Sequence, residues 1–565
     1  MIRRKSGIVH VGKVALGGDN PVRVQSMTNT DTNNLQAGFE QSIRIAQAGG
    51  EIVRLTAQGV REAESIGKIR EMLRQAGCEV PLVADIHFNP RAALAAAALC
   101  DKVRINPGNF VDAARTFKKL TYTDEEYAAE TAKIREALLP FIEICRSHGT
   151  AVRLGVNHGS LSDRIMSRYG DTPAGMVESA MEFLRVFVAE NFLEVVISIK
   201  ASNVRVMVDT VRFLAKAMDA EGMRFPLHLG VTEAGDGEDG RIKSAVGIGT
   251  LLAEGLGDTI RVSLSEEPEA EIPVARKLAA YAAALCNGKP APERKQLPHS
   301  ASVLGKQPVV VTMLPREEFA GCDFQPDYFV QEQPCYSIND LSQCAASTAP
   351  LKWVVLESGD APQALKPLSG RTDVAVLAKI SGDCKAEQIQ HLINTLAGLD
   401  LGLPVVPYCE YSDSDEEMVQ VMAGLDLGSV MMNGLRDGIG FSAPIPAANT
   451  ARYCFGILQA ARLRTTKTEF ISCPGCGRTL FDLQSTVRQV KEATRHLTHL
   501  KIGIMGCIVN GPGEMADADY GYVGAAAGKI SLYKGKQCIE RNIPQQEAIP
   551  RLIALIKAHG DWKEP

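Results

Sequence analysis

Two cysteine-bearing turns near the carboxyl end of the sequence contain the residue types that bind soft metals most strongly. Cys473 and Cys476 are separated by Pro474 and Gly475, and Cys507 follows in a second glycine-rich segment. A C-x-x-C turn directs two thiolates toward one centre, and Cys507 supplies a third. The spacing therefore predicts one metal site with three sulfur ligands.

The fourth ligand distinguishes two kinds of metal centre. Glu514 lies seven residues after Cys507, across a turn of glycine and proline that can return its carboxylate to the site. A closed zinc site would require another cysteine or a histidine, and the nearest downstream cysteine, Cys538, lies in a separate segment. Three thiolates and a carboxylate suit an iron-sulfur cluster better, with one iron opened to a substrate oxygen. A C-x-x-C pair by itself is also compatible with a zinc knuckle or with chance.

Residues 470 to 524 resemble the iron-sulfur domain of the 4-hydroxy-3-methylbut-2-enyl diphosphate synthases, the reductases of the non-mevalonate isoprenoid pathway. The similarity lies in Ile471–Thr479 and Gly503–Glu514, followed by Ala516–Asp519. The resemblance implies a 4Fe-4S cluster with four ligands, namely Cys473, Cys476, Cys507 and Glu514.

The composition is that of a large globular protein. The chain has 565 residues, and 45% of them are hydrophobic, enough for several domains with buried cores. A net charge of -5 argues against general nucleic-acid binding. No apolar run reaches the roughly 20 residues that span a bilayer, and Met1–Ser6 lacks the apolar core of a secretion signal. The cysteines outside the metal motif are predicted to be buried thiols in a reducing compartment, so we expect a cytoplasmic protein.

A repeated pattern precedes the cysteines: a short β-branched run, a polar or glycine-rich break, and then a helical segment. An alternating stretch over 8–18 predicts a hairpin before the first repeat. Eight runs predict strands, namely Val22–Met27, Ile52–Thr56, Leu82–His87, Lys102–Asn106, Ala151–Asn157, Val195–Lys200, Leu227–Glu233 and Thr259–Leu264. Eight strand-helix units are typical of a (β/α)8 TIM barrel, whose active sites lie at the carboxyl ends of the strands.

Polar side chains occupy the later half of these predicted strands or the residues just beyond. The set is Arg54, Asp85, His87, Arg104, Asn106, Arg153, Asn157, His158, Ser198, Lys200, His228, Glu233, Arg261 and Ser263. Buried strands rarely contain arginine without a partner, and the cations of this set outnumber its two carboxylates. We therefore expect an anion at this rim. A diphosphate suits it, because guanidinium groups pair bidentately with phosphate oxygens. Salt bridges to Asp85 and Glu233 are the structural alternative.

The barrel segments resemble the N-terminal domain of the same synthase family, for example in Ala84–Phe88, Arg153–Ser160 and Leu229–Gly235. The resemblance implies that Glu233 is catalytic, although a salt bridge to Lys200 or to an arginine is the alternative. It also implies that the substrate diphosphate is bound by Arg54, Arg104, Arg153, Asn157, Lys200, Arg261 and Ser263. By position we assign further members of the set to substrate binding, namely Asp85, Asn106 and Ser198. The histidines either donate hydrogen bonds to the substrate or are satisfied structural groups, and they are His87, His158 and His228.

A long insertion separates the barrel pattern from the cysteine-bearing segment. Its candidate strands alternate with helical stretches and predict another α/β unit, barrel-like in organisation: Val309–Met313, Trp353–Leu356, Val374–Ala378, Pro404–Tyr408 and Ser429–Met432. Arg436–Gly440 is predicted to be a loop. We expect a TIM barrel over 1–288 that binds the substrate, an inserted α/β spacer domain over 289–457 and an α+β iron-sulfur domain over 458–565. A linker is predicted at Asn287–Pro292.

The resemblance implies a two-electron reductive ring opening, with 2-C-methyl-D-erythritol 2,4-cyclodiphosphate as its substrate. Ferredoxin or flavodoxin would deliver single electrons, and Glu233 would handle a proton. Basic residues outnumber acidic ones after Arg462. We expect a basic surface that docks an acidic donor, formed by Arg478, Arg488, Lys491 and Arg495. The sequence is compatible with a monomer or a homodimer.

Two other functions remain open at this point. One is a pterin-dependent transferase on the barrel with a purely structural cluster, which predicts turnover without a reductant. The other is a zinc-ribbon module that binds partners on a scaffold of barrels. The carboxylate at the fourth ligand position disfavours the transferase, and the cationic rim disfavours the scaffold.

Overall fold

The structure, a computed structural model, describes residues 2–87, 89–112, 121–285, 303–508, 511–515 and 517–564, without the side chains of Pro512 and Glu514. The predicted linker Asn287–Pro292 lies outside the described residues. Two compact units are present. The first comprises Arg4–Gly240, Leu256–Ala279 and Lys467–Pro565, and the second Met1–Arg3, Arg241–Gly255 and Ala280–Thr466.

Eight parallel strands of the first unit close into a barrel, as the sequence repeat predicted. They are Arg23–Met27, Ile52–Ala57, Leu82–Ile86, Lys102–Ile105, Ala151–Asn157, Val195–Lys200, Leu227–Leu229 and Thr259–Ile260. The predicted hairpin pairs Val9–Val11 with Val14–Leu16. Its apolar side chains join those at the starts of barrel strands, including Ile52, Val83 and Ala151, in one buried cluster. The hairpin therefore closes the amino end of the barrel and leaves the carboxyl end for a site.

The helices that alternate with these strands begin at good capping residues. Thr123 forms a reciprocal capping box with Glu126, and Asn203 accepts hydrogen bonds from the first turn of its helix. Barrel strands such as Ala151–Asn157 are buried along their whole length, which explains their near-continuous apolar runs. The helices are Leu35–Gln47, Val60–Gln75, Pro90–Ala97, Pro107–Phe110, Asp124–His148, Asp163–Tyr169, Pro173–Ala189, Val204–Ala220, Gly237–Leu252 and Glu271–Ala284.

A five-stranded mixed sheet forms the carboxyl-terminal part of the first unit. Its order follows the chain, with three parallel strands and then two antiparallel ones: Glu469–Ser472, Lys501–Met505, Tyr520–Ala526, Lys529–Lys534 and Gln537–Pro544. Helix Leu483–Thr494 packs on it through Leu483, Val487 and Val490, at the spacing of one helix face. The remaining helices are Gly511–Glu514 and Gln545–Ala558. The predicted α+β architecture is confirmed.

The second unit contains an open, fully parallel sheet of seven strands, a half-barrel. The strands are Val309–Thr312, Tyr328–Phe329, Cys335–Ser337, Lys352–Leu356, Val374–Ile380, Val405–Glu410 and Gly438–Ser442. The helices are Leu341–Ala346, Lys385–Leu399, Glu416–Met432 and Ala447–Ala460. The barrel-like prediction for the insertion holds in this form. No helix of the described residues is long and apolar enough to cross a membrane.

Two predictions for the insertion were wrong. Ser429–Met432 is the end of helix Glu416–Met432, which is buried nearly all round and so has no polar face to reveal a helical period. The last strand is Gly438–Ser442, which overlaps the predicted loop. A side chain at Gly438 would lie 2.5 Å from the backbone oxygen of Val309. Glycine is therefore required where the two backbones approach each other. Because glycine is also typical of loops, the sequence pattern did not predict a strand here.

Candidate functional site

One cavity of the first unit is lined by both the barrel and the carboxyl-terminal sheet domain. It contains most of the predicted site residues, namely Arg54, Asp85, His87, Arg104, Arg153, Asn157, Ser198, Lys200, Glu233, Arg261, Ser263, Cys473, Cys476 and Cys507. Lining residues that the sequence reasoning did not assign to this site include Met27, Thr232 and Arg478. Met27 and Thr232 lie in predicted strands, but neither has a charge that would mark it.

The register of the barrel places three charged residues side by side. Asp85 is paired with Arg104 on the next strand, and Arg104 with Arg153 on the strand after that. Side chains alternate between the two faces of a strand, so residues opposite one another share a face. The row Asp85, Arg104, Arg153 therefore faces the barrel interior at the carboxyl end.

Asp85 is the centre of the charge cluster. Its Oδ1 lies 3.4 Å from both Arg104 and Arg153, and its Oδ2 lies 3.5 Å from Arg478. Burial alone would raise the pKa of Asp85, but the charges of Arg104 and Arg54 hold it well below its usual value. Burial and the charges of Arg104 and Arg478 lower the pKa of His87 to about 3. His87 is therefore neutral at pH 7 and accepts a hydrogen bond from Arg104.

The cavity wall has more buried cations than carboxylates to balance them. Nε and Nη1 of Arg153 find no hydrogen-bond partner among the described residues. Burial, followed by the charge of Arg54, lowers the pKa of Arg153 and that of Lys200 well below their usual values. Burial also lowers the pKa of Arg54 to about 10. This end of the barrel is therefore suited to an anion with several acceptor oxygens.

Arg261 differs from the other arginines because it has its own counter-ion. Its Nε and Nη2 donate to the two oxygens of Glu271, each at 2.9 Å, and Glu271 also accepts from Ser26 at 2.6 Å. Glu271 opens the helix after the last strand, where the sequence pattern did not mark it as a site residue. Arg261 therefore forms a salt bridge, as the structural alternative proposed, but with Glu271 rather than with Asp85 or Glu233. Its side chain still lines the cavity.

Three predicted substrate-binding residues lie outside the described lining of the cavity. Asn106 accepts from Gly108 at the start of a short helix and donates to Ser160. His158 lies 3.3 Å from Asp171. His228 is buried and accepts from Gln25 at 3.2 Å. These contacts favour structural roles, and the assignment to substrate binding stays a prediction for all three.

Glu233 follows the seventh barrel strand and has an unusual backbone. Its φ is +51°, and its side chain is 6% exposed in the cavity wall. The left-handed conformation costs a residue with a side chain about 1–2 kcal/mol. The surrounding fold therefore holds this carboxylate in place against strain, a pattern common at functional sites.

The cysteines follow two adjacent parallel strands. Glu469–Ser472 pairs with Lys501–Met505, so Cys473 and Cys507 emerge at the same sheet edge. The backbone N–H of Gly506 donates to Sγ of Cys473 at 3.2 Å. Burial raises the pKa of the Cys473 thiol. For Cys476, burial acts in the same direction, but the charge and hydrogen bond of Arg478 lower the pKa overall.

The predicted docking surface is not confirmed in its original form. Arg478 is only 8% exposed and lines the cavity. Lys491 pairs with Asp236, which reduces the net charge of that face. Arg488 and Arg495 are exposed, as predicted. Charge density along the sequence could not show that the carboxyl-terminal domain turns Arg478 inward.

The carboxyl-terminal domain contacts the barrel of its own chain. Ser265 donates to the backbone oxygen of Ser472 at 3.1 Å, and Asn203 donates to Asp517 at 3.0 Å. At Gly159, whose φ is +82°, a Cβ would lie 2.6 Å from the Cα of Gly513. Only glycine permits this approach. Residues of a single chain therefore form the cavity.

The three cysteines line one cavity, and two of them accept hydrogen bonds, from Gly506 and Arg478. The side chain of Glu514 lies outside the described part of the chain. Among the described residues, no three His, Cys, Asp or Glu side chains form a group that would hold a single metal ion. The shared wall and the donors to sulfur fit a cluster of several metal atoms.

Comparison with known proteins identifies the family. Two family models match, the GcpE TIM-barrel domain over residues 6–276 and the GcpE protein C-terminal domain over residues 469–558. A 4-hydroxy-3-methylbut-2-en-1-yl diphosphate synthase (flavodoxin) from Parabacteroides distasonis is 51% identical, over 99% of this chain and 98% of its own length. The chain belongs to the 4-hydroxy-3-methylbut-2-en-1-yl diphosphate synthase family.

Two further members of this synthase family match the chain over its whole length. The Bacteroides fragilis enzyme of the same name is 53% identical over 100% of this chain and 97% of its own length. The chloroplastic synthase (ferredoxin) of Oryza sativa is 40% identical over 100% of this chain and 88% of its own length. The matches thus include the insertion. They confirm the predicted activity, that of an oxidoreductase of non-mevalonate isoprenoid synthesis, and set aside the transferase and zinc-ribbon alternatives.

Proposed function

We propose that the cavity binds 2-C-methyl-D-erythritol 2,4-cyclodiphosphate and that the chain opens its ring reductively with a 4Fe-4S cluster to form 4-hydroxy-3-methylbut-2-enyl diphosphate. The observation that carries the proposal is the shared cavity. Its barrel wall has an excess of buried cations, and its other wall has three cysteines. A phosphorylated substrate and a redox centre would therefore meet in one chamber.

The barrel wall binds the diphosphate. Two nitrogens of Arg153 find no hydrogen-bond partner among the described residues, and Arg54 and Lys200 lie in the same wall. Each charge-assisted hydrogen bond contributes about 1.5–3 kcal/mol. Phosphate charge would also offset the cost of burying these cations, which Asp85 balances only in part. Asn157 and Ser263 line the same wall and supply neutral hydrogen bonds.

The cluster ligands are Cys473, Cys476 and Cys507, with Glu514 as the fourth. When bound, the cluster supplies the two electrons that the ring opening consumes. The N–H of Gly506 and the guanidinium of Arg478 donate to two of the sulfurs and support their thiolate forms.

Glu233 serves the proton chemistry. Ring opening breaks the C–O bond to the diphosphate, and loss of water breaks a second C–O bond, to the neighbouring hydroxyl. The two electrons complete the C=C bond of the product, and the departing hydroxyl must gain a proton to leave as water. Glu233 lines the same cavity as the cationic barrel rim and the cysteines, and it is held in a strained backbone. We assign it the transfer of that proton.

The three parts of the chain have separate tasks in this proposal. Residues 1–288 bind the substrate, residues 289–457 act as a spacer, and residues 458–565 hold the cluster. The site is formed by a single chain, so we propose that a monomer suffices for turnover. Flavodoxin and ferredoxin appear in the names of the relatives, and we propose a donor of this class for this chain.

Metal and sulfide content test the proposal directly. Protein purified without oxygen should contain about four irons and four acid-labile sulfides per chain. It should convert the cyclodiphosphate only when a reduced flavodoxin or ferredoxin is supplied. Stoichiometric zinc without sulfide after attempted cluster reconstitution would refute the cluster assignment. Turnover without a reductant would refute the redox chemistry.

A further inference from the structure

Arg478 connects the two walls of the cavity. Its Nε donates to Sγ of Cys476 at 3.3 Å, and its Nη2 lies 3.5 Å from Oδ2 of Asp85 on the third barrel strand. Its Nη1 is buried and has no hydrogen-bond partner among the described residues. One guanidinium group therefore contacts both a proposed cluster ligand and a barrel carboxylate. Among the described residues, its third nitrogen makes no hydrogen bond and is available as a donor.

The turn around Cys476 holds Arg478 in this position. The backbone N–H of Cys476 donates to Oγ1 of Thr479 at 3.0 Å, and the backbone N–H of Thr479 donates to the backbone oxygen of Cys476 at 2.9 Å. These reciprocal bonds close the segment from Cys476 to Thr479 into a tight turn. Arg478 lies inside that turn, so its geometry relative to the sulfur is organised before any electron arrives.

The positive charge of Arg478 is incompletely neutralised. Its nearest carboxylate, Asp85, also lies 3.4 Å from Arg104 and 3.4 Å from Arg153. One negative charge is thus shared among three guanidinium groups. In a buried site with weak dielectric screening, the remaining positive charge acts strongly on its neighbours. The sulfur of Cys476 is the closest polarisable neighbour that the described contacts show.

We propose that Arg478 is a positioning residue that raises the reduction potential of the cluster. This inference rests on the proposed function. One-electron reduction by a flavodoxin or ferredoxin adds negative charge to the cluster and its sulfur ligands. A hydrogen bond to a ligand sulfur and a nearby cation both stabilise that added charge, and both are known determinants of iron-sulfur potentials.

Asp85 couples the charge of Arg478 to substrate binding. Asp85 contacts Arg104 and Arg153, which line the proposed diphosphate site. When a diphosphate pairs with Arg104 and Arg153, these two arginines draw less of the negative charge of Asp85. Asp85 then neutralises more of the positive charge of Arg478. Substrate binding should therefore lower the cluster potential in the unmodified protein by more than the substrate's own charge would, and this additional part of the shift should require Arg478.

Two substitutions at Arg478 separate charge from geometry. Arg478→Gln removes the charge, and Arg478→Lys keeps the charge but loses the planar fork that reaches sulfur and carboxylate together. Arg495→Gln is the matched control, because it removes an exposed arginine from the same domain. Anaerobic redox titration followed by visible absorption and electron paramagnetic resonance gives the midpoint potential of each variant. Iron and sulfide are measured on the same samples.

The expected result is a more negative potential in Arg478→Gln, a smaller shift in Arg478→Lys, and no shift in Arg495→Gln, all with full iron content. The substrate-induced shift should be smaller in Arg478→Gln than in the unmodified protein. An unchanged potential in Arg478→Gln with a full cluster would overturn the inference, and loss of iron from both Arg478 variants would replace it with a structural role. Failure of the proposed function would look different, because the unmodified protein would then contain no iron or sulfide.

Discussion

Arg153→Met is the most direct test of the diphosphate site. Arg153 is 2% exposed, and two of its nitrogens find no hydrogen-bond partner among the described residues. Its third nitrogen, Nη2, donates to Asp85 at 3.4 Å. Methionine fills similar space without a charge, so the variant removes the cation and leaves little cavity. The fold should tolerate the change, because it eliminates a buried and poorly paired charge.

The expected loss of substrate affinity follows from Nε and Nη1 of Arg153, which find no hydrogen-bond partner among the described residues. At about 1.5–3 kcal/mol for each charge-assisted hydrogen bond, their loss would cost about 3–6 kcal/mol of substrate binding. Arg54 and Lys200 remain and continue to neutralise the diphosphate, so we expect a loss of binding free energy at the lower end of this range. About 3 kcal/mol corresponds to a rise of about 100-fold in Kd.

Isothermal titration calorimetry of the cyclodiphosphate with oxidised, cluster-loaded protein measures this affinity without turnover. Arg44→Met is the control, because Arg44 forms an exposed salt bridge with Glu269 and removing it changes the net charge by the same amount. Its affinity for the substrate should be close to that of the unmodified protein. An Arg153→Met protein with normal thermal stability and a Kd within threefold of the unmodified protein would refute the assignment of the diphosphate to this wall.

Three further predictions concern the proton, the cluster and the barrel core. Glu233→Gln should keep iron and substrate affinity but lower kcat by about 100- to 10,000-fold, the usual contribution of a positioned acid or base; normal turnover would remove Glu233 from the chemistry. Cys507→Ser should lose iron in colorimetric assays, and a full complement of iron would exclude Cys507 as a ligand. Lys102 is fully buried, its Nζ has no hydrogen-bond partner in the described part of the chain, and burial with the charge of Arg153 lowers its pKa well below the usual value. Between the lowered pKa of the folded state and the unfolded pKa of about 10.4, the unfolded chain binds more protons than the folded chain, so this contribution to stability rises with pH across that range. Lys102→Met should raise thermal stability at pH 7, by about 1–3 kcal/mol, and the gain should shrink toward pH 10; a gain that does not depend on pH would contradict the lowered pKa.

The elements of the barrel and of the carboxyl-terminal domain were predictable because their signals are local. Each barrel strand is a β-branched run followed by a break and a helix, and this repeat is visible without knowledge of the neighbours. The prediction failed at Ser429–Met432 because a helix buried on all sides has no polar face. It also missed strand Gly438–Ser442, because the glycines that let two backbones approach resemble those of a loop.

Much of the candidate site was also predictable from residue types at strand ends. A strand register brings Asp85, Arg104 and Arg153 together, and alternation of side chains along a strand is a local rule. The counter-ion of Arg261 was not predictable, because Glu271 begins a helix and only the packing of that helix turns it toward the barrel. The histidines show the same limit, since the contacts of His158 and His228 with Asp171 and Gln25 depend on their neighbours in space.

The residue types that could carry the chemistry were evident from the amino-acid sequence alone. The three cysteines, the cationic strand ends and the eightfold repeat all depend on residue type and short spacing, which folding does not change. Which of these groups come into contact depends on the packing of the domains. Arg478 and Asp85 are far apart in the chain, and their contact exists because the carboxyl-terminal domain closes on the barrel of its own chain. Arg478, predicted to lie on a docking surface, therefore lines the cavity and contacts a barrel carboxylate, because burial and pairing depend on distances in space.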